Sequence, residues 1–291
     1  MQQTPAAFFI LVFVIGLLVG SFLNVVIHRL PIIMQREFVL SAKEILKMEL
    51  NEEEQKWLDV NFNLVVPRSR CPKCGHKISA IENIPVISYL FLGGKCSECK
   101  AKISVRYPIV EFVTAVLSLL VAIYFGVTWM TLAGLLLTWC LIALTMIDFD
   151  TQLLPDSITQ PLIWLGLLLS MFGVLDVDLK SSIYGAVLGY LSLWTVYHGF
   201  KILTGKEGMG YGDFKLLAAL GAWMGWKMLP VIILFSSFVG AVIGIAMVII
   251  MGRDKNIPIP FGPYLAAAGF IALLWGDKIL TAYLGTGQFV G

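Results

Sequence analysis

Asp148 and Asp213 are the side chains of this sequence best placed to do chemistry. Each stands where an apolar segment meets a polar turn, and two further apolar segments lie between them. An even number of crossings returns a chain to its starting side, so both carboxyls face the same membrane surface. Two acids that converge at such a boundary cannot comfortably both ionise, so they share a proton. A pair in that state can activate water while protonating a leaving group, as aspartic proteases do. No metal is required at the reaction centre.

Blander roles compete for the same residues. Asp148 closes the apolar stretch 129–147, at a helix C-terminus where the dipole disfavours an anion, so a capping role explains it poorly. Asp150 is expected in water, and Asp156, after Pro155, is expected to cap the next helix. Asp213 precedes an apolar run and could be an ordinary N-cap. Gly205, Gly208, Gly210 and Gly212 argue for more, because they free the backbone before the acid to lie close to another chain. Irregular backbone at membrane depth survives only where protein or a water-filled cavity covers it.

A second constellation is Cys71-Pro72-Lys73-Cys74-Gly75 and Cys96-Ser97-Glu98-Cys99-Lys100, with 21 residues between Cys74 and Cys96. Two CxxC knuckles supply four thiolates, the donor set of a closed, tetrahedral structural zinc site. Gly75 lets the backbone turn so that its amides face the sulfurs. Two disulfides or a redox dithiol are the alternatives. Disulfides are disfavoured if the loop lies in a reducing compartment, and a redox pair needs no duplicate. Cys140, inside an apolar segment, reads as a small packing residue.

These groups must be positioned by an unusually apolar chain. Of 291 residues, 58% are hydrophobic and only 14% charged, which describes a polytopic membrane protein rather than a soluble domain. Helices of about 20 apolar residues cross a bilayer. Eight such spans are expected near 6–28, 108–127, 129–147, 158–175, 181–203, 214–228, 230–251 and 261–276, the sixth and eighth being the weakest. The fold class is therefore all-α, with about eight transmembrane helices and a small metal-knuckle domain between the first two. Three regions follow: a first membrane helix at 1–30, a polar loop domain at 31–107 and a membrane domain at 108–291. Ser41-Ala42-Lys43-Glu44 has capping-box spacing and predicts a short helix over 42–58.

Basic residues accumulate on the cytoplasmic side. Alternate placement of the loops puts 18 Lys and Arg on one side and leaves Lys180, Lys227 and Lys278 on the other. The N-terminus is then outside, and the cysteine loop and both aspartates are cytosolic. Nucleotide chemistry is not indicated, since neither a dinucleotide GxGxxG nor a Walker motif is present. No HExxH occurs, and His28, His76 and His198 are scattered. No nucleic-acid partner is expected.

Gly210-Tyr211-Gly212-Asp213 resembles the GxGD signature of intramembrane aspartyl proteases. The stretch from Gly20 to Pro31, the paired CxxC loop, Arg106-Tyr107-Pro108 with Glu111, and Ile147-Asp148 through Leu154-Pro155-Asp156 all resemble type IV prepilin peptidases, in order along the chain. That resemblance implies cleavage of the basic leader of prepilins and pseudopilins at the cytoplasmic face of the bacterial inner membrane. It also implies N-methylation of the new terminus with S-adenosylmethionine. Carried over by residue, the catalytic pair is Asp148 and Asp213, and the zinc ligands are Cys71, Cys74, Cys96 and Cys99. Gly94 occupies the place of a glycine that the family links to methyl transfer. A transporter or channel lined by the same acids is the reading from another class. The sequence lacks the paired broken helices that such a protein would use.

Overall fold

The computed structural model describes residues 6–49, 51–59, 61–206, 208–251 and 259–284. In chain order the helices are α1 (Ala6–Leu46), α2 (Glu52–Asp59), α3 (Ile87–Phe91), α4 (Arg106–Phe125), α5 (Trp129–Thr151), α6 (Asp156–Met171), α7 (Leu179–Thr204), α8 (Tyr211–Met224), α9 (Leu229–Met251) and α10 (Gly262–Leu284). No β-strand occurs among the described residues, only two isolated bridges, Arg70 with Lys77 and Lys95 with Lys102.

Each of the eight expected apolar segments falls on a helix. Among the described residues, five regions combine the length and apolarity of a membrane span: Ala6–Leu46, Arg106–Phe125, Trp129–Thr151, Trp226–Ile250 and Gly262–Ala282. The chain is an all-α polytopic membrane protein. Helices α6 and α8, with 16 and 14 residues, are shorter than a bilayer-crossing helix needs to be. Helix α7 has the length, but serines, Thr195 and His198 interrupt its apolar run.

The backbone divides into two compact units, Met1–Ile123 and Tyr124–Gly291. In the first, α1 packs on α4 through Gly16 and Gly20. A Cβ on Gly16 would stand 2.7 Å from the Ala115 Cα, and one on Gly20 would stand 2.6 Å from the Glu111 Cα. Small residues four apart let two membrane helices approach backbone to backbone.

The helix expected over 42–58 is not there. α1 continues through Pro31 to Leu46, so Ser41 lies inside it rather than at a start. It ends where Lys47 turns left-handed, with Lys47 N–H donating to the Glu44 carbonyl and Met48 N–H to Lys43. That is a Schellman ending. The capping box belongs to α2 instead. Asn51 Oδ1 accepts the Glu54 N–H at 2.8 Å, and Glu54 Oε2 accepts the Asn51 N–H at 3.0 Å. Lys43 then ties the two helices through Glu54 at 2.9 Å.

The second unit is organised around α8, whose residues from Asp213 to Met224 are buried except for Lys215. Glycines on its neighbours make this possible. A Cβ on Gly185 of α7 would stand 2.1 Å from the Gly221 carbonyl oxygen, and one on Gly189 would stand 2.7 Å from that of Leu217. Gly166 of α6 faces Trp223 and Gly269 of α10 faces Leu220 at similarly short range. Trp223 donates its indole N–H to the Leu162 carbonyl at 2.9 Å. α8 is thus gripped from three sides, and the residue at its N-terminal turn is held with it.

Candidate active site

Asp148 sits in the last turn of α5, and Asp213 in the first turn of α8. Both are buried, at 4% and 6% exposure, and two helices separate them in sequence. The helix ends that bear them converge on Leu154, which abuts Gly212 beside Asp213 and Gly262 beside Asp148. Asp148 Oδ2 accepts the Gly262 N–H at 3.0 Å. Asp213 Oδ1 is buried without a hydrogen-bond partner.

The structure explains how an acid is tolerated at the end of α5. Its own helix disfavours the charge, but Gly262 is the first residue of α10, where amide N–H groups lack intrahelical acceptors. The positive end of α10 thus offsets the negative end of α5. Gln152 stops α5 by adopting a left-handed conformation, φ 55°, with its N–H on the Asp148 carbonyl.

Asp213 is not the N-cap of α8. Gly210 holds that position with no side-chain bond, and Asp213 lies three residues into the helix. Of the four glycines before it, Gly205 caps α7 in left-handed conformation, and Gly208 faces the Phe200 ring. Only Gly212 abuts the other acidic segment: a Cβ there would stand 2.6 Å from the Leu154 Cβ. Leu154 also lies 3.1 Å from where a Gly262 Cβ would be. One leucine side chain therefore wedges between the α5–α6 turn, the start of α8 and the start of α10.

Asp156 does not cap α6 either. Pro155 occupies the N-cap, and Asp156 pairs with Lys215 of α8, both carboxylate oxygens lying 2.7 Å from Nζ. The only lysine close to Asp213 along the helix is thereby neutralised by a neighbour. Aromatic rings back the α8 side of the site: Tyr211 packs on Tyr197 at 5.4 Å and on Phe214 at 5.4 Å between centroids.

The four cysteine sulfurs of Cys71, Cys74, Cys96 and Cys99 all lie within 4.8 Å of one another. Cys71 to Cys99 measures 3.8 Å and Cys74 to Cys96 measures 3.9 Å. A tetrahedron with Zn–S near 2.3 Å has edges of about 3.8 Å, so the donors fit a metal of that size. The two knuckles are built alike. Cys71 N–H donates to the His76 carbonyl and Cys96 N–H to that of Ala101, each at 2.9 Å. The residue after each second cysteine is left-handed: Gly75 at φ 73° and Lys100 at φ 56°. Lys100 was not recognisable as the partner of Gly75, because lysine carries no signal for that conformation.

Backbone amides of Cys74 and Lys73 aimed at Cys71 hold its thiol down to about 6. The His76 amide works in the same direction on Cys74, but burial and the neighbouring sulfurs of Cys99, Cys71 and Cys96 push that thiol up to about 12. Four thiolates packed this closely call for a cation.

A polar clasp joins the knuckles. The Ser97 hydroxyl donates to Glu82, His76 Nε2 lies 3.2 Å from Glu82 Oε1, and Glu82 Oε2 accepts the Ser79 N–H at 2.8 Å. The Ser97 hydroxyl, followed by Ser79 and His76, holds the Glu82 carboxyl down to about 2. Gly94 adopts φ 66°, and a Cβ there would stand 2.8 Å from the Tyr89 hydroxyl oxygen. Its requirement for glycine is therefore explained by backbone shape and by Tyr89.

Residues 14–125 match the bacterial peptidase A24 N-terminal domain, and residues 135–245 match the type IV leader peptidase family. A prepilin leader peptidase/N-methyltransferase of Pseudomonas aeruginosa is 56% identical over 287 residues, covering 99% of this chain and 96% of the relative. The chain belongs to the type IV leader peptidase family. Family members bearing the same name from Aeromonas hydrophila and Neisseria gonorrhoeae are 54% and 52% identical, over 96% and 92% of this chain and 95% and 91% of their own lengths. No solved structure matches the chain.

Proposed function

We propose that the protein is a membrane aspartyl endopeptidase that removes the leader of type IV prepilins and pseudopilins. It then N-methylates the new terminus with S-adenosylmethionine. The observation that carries the peptidase reading is the convergence on Leu154 of the helix ends that carry two buried carboxyls. One is fixed by the Gly262 amide, and the other has an oxygen left without a partner.

In this reading Asp148 and Asp213 share one proton. The ionised member takes a proton from water as that water attacks the scissile carbonyl, and the protonated member donates to the departing amine. Asp213 Oδ1 is the oxygen free to meet water or substrate. A Cβ on Gly210 would meet nothing closer than Asp213 Oδ2 at 3.9 Å, which leaves room for an extended peptide beside Asp213. A prepilin carries a basic leader and an apolar segment, so its scissile bond would lie at the interface to which this reading assigns both acids.

The site's position at the cytoplasmic face of the inner membrane, with the N-terminus outside, rests on the 18-to-3 division of basic residues. Cys71, Cys74, Cys96 and Cys99 would hold zinc as a closed structural crosslink of the loop. Methyl transfer is supported by the names of the relatives and by Gly94 at the family's position. S-adenosylmethionine would supply the methyl group. No glycine-rich cradle for it is formed among the described residues.

The test is incubation of the purified protein in liposomes with a prepilin and isotopically labelled S-adenosylmethionine, read by mass spectrometry. The expected product is a shortened pilin carrying one labelled methyl group. An uncut prepilin would overturn the peptidase assignment, and a cut but unlabelled one would remove the methyltransferase half.

A further inference from the structure

Between the two knuckles, the segment Ile81–Phe91 carries apolar side chains to the surface that nothing in its own unit covers. Ile81, Ile84, Ile87, Leu90 and Phe91 are exposed, Leu90 to 71% and Phe91 to 88%, with Asn83 the one exposed polar residue among them. Pro85 is buried, and Glu82 turns inward to the clasp with His76 and Ser97.

A carboxylate of a membrane-spanning helix fixes the height of this segment. Val86 N–H donates to Glu111 Oε2 of α4 at 2.7 Å. Glu111 lies five residues inside α4, about 7.5 Å beyond Arg106 along the axis. Gly20 packs on the Glu111 Cα and itself lies within the apolar run of α1, so two helices agree that this level is below the polar surface. The bond is made at some conformational expense. Val86 has φ 61° and ψ −48°, and Ile87 N–H donates to the Pro85 carbonyl at 2.6 Å. A β-branched residue at the centre of such a γ-turn is strained.

We propose that Ile81–Phe91 is a docking element that seats the metal-bearing loop in the lipid interface. Charge supports a bilayer as its occupant. Lys77 precedes the segment, and Lys95, Lys100, Lys102 and Arg106 follow it, the arrangement that favours anionic headgroups around an inserted apolar face. Val105 and Ile109, at the start of α4, are exposed as well and continue the apolar surface onto a helix already in lipid. Glu111 acts as the anchor, fixing depth through Val86.

The experiment places the photo-crosslinking amino acid benzoylphenylalanine at position 91 of the full-length protein. The protein is reconstituted in phosphatidylethanolamine–phosphatidylglycerol liposomes, irradiated and examined by mass spectrometry, with position 102 as the reference. Lipid adducts at 91 are expected at about five times the yield at 102, without any added partner. Position 90 carries the same expectation if the substitution at 91 disturbs folding. Equal lipid yields at the test and reference positions would overturn the proposal. So would adducts formed with an added prepilin in place of lipid, which would make the patch a polypeptide-binding surface.

Discussion

Gly262 donates its backbone N–H to Asp148 Oδ2, and a Cβ at that glycine would stand 2.6 Å from the same oxygen. The start of α10 thus acts on the end of α5 both as hydrogen-bond donor and as a steric limit. A methyl group at 262 would have to push the carboxyl aside or move α10. Gly262→Ala is expected to lower the leader-cleavage rate at least about tenfold, the cost of roughly 1.4 kcal/mol in transition-state stabilisation. Thermal melting of the variant in detergent should remain close to wild type, and unchanged cleavage would mean that the contact is irrelevant to catalysis.

The close packing of α7 on α8 should matter for stability rather than for chemistry. Gly185 and Gly221 leave no space for a Cβ, and the atoms met are backbone. Overpacking of this kind costs on the order of 1–3 kcal/mol or more. Gly185→Val should therefore lower the melting temperature and the yield of inserted protein. A variant as stable as wild type would show that the helices can separate freely.

The Asp156–Lys215 pair is short but open to water, with the Asp156 side chain 60% exposed. Exposed pairs contribute about 0–1 kcal/mol. Lys215→Ala should leave the melting temperature nearly unchanged. A large fall would reveal a structural role for the pair that its exposure does not suggest.

About one metal ion per chain is expected in protein purified under reducing conditions, and Cys71→Ser should lose it. Glu82→Gln should keep the ligands but weaken the clasp, so metal transfer to a chelator is expected to accelerate roughly tenfold. The Glu82 carboxyl is depressed from 4.5 to about 2, so its contribution is complete above 4.5 and is lost as the pH falls toward 2. The difference between variant and wild type should accordingly stay constant from pH 6 to 8. A difference that vanished within that range would assign the effect to another group.

Much of this architecture was legible in the sequence, because hydropathy and CxxC spacing are local signals. The apolar segments, the four sulfur donors and the two acids at helix ends could all be read along the chain. The partners that shape the site could not. Gly262 is 114 residues from Asp148, and Lys215 is 59 from Asp156, and no periodicity relates either pair. Ser41 and Asp156 misled for a related reason. A capping residue type is only a local preference, and the continuation of α1 and the ion pair to α8 overrode it. Glycines were informative as a group, but their separate duties, from capping α7 to admitting Leu154, emerge only when neighbouring helices are in place.

The most direct test is cleavage of a membrane-embedded prepilin by Asp148→Asn and Asp213→Asn, each purified with wild-type metal content and melting temperature. An amide occupies the same space but cannot exchange the proton that hydrolysis requires. The account predicts no leader release from either variant over many wild-type turnover times. Release by either at a rate near wild type would contradict it.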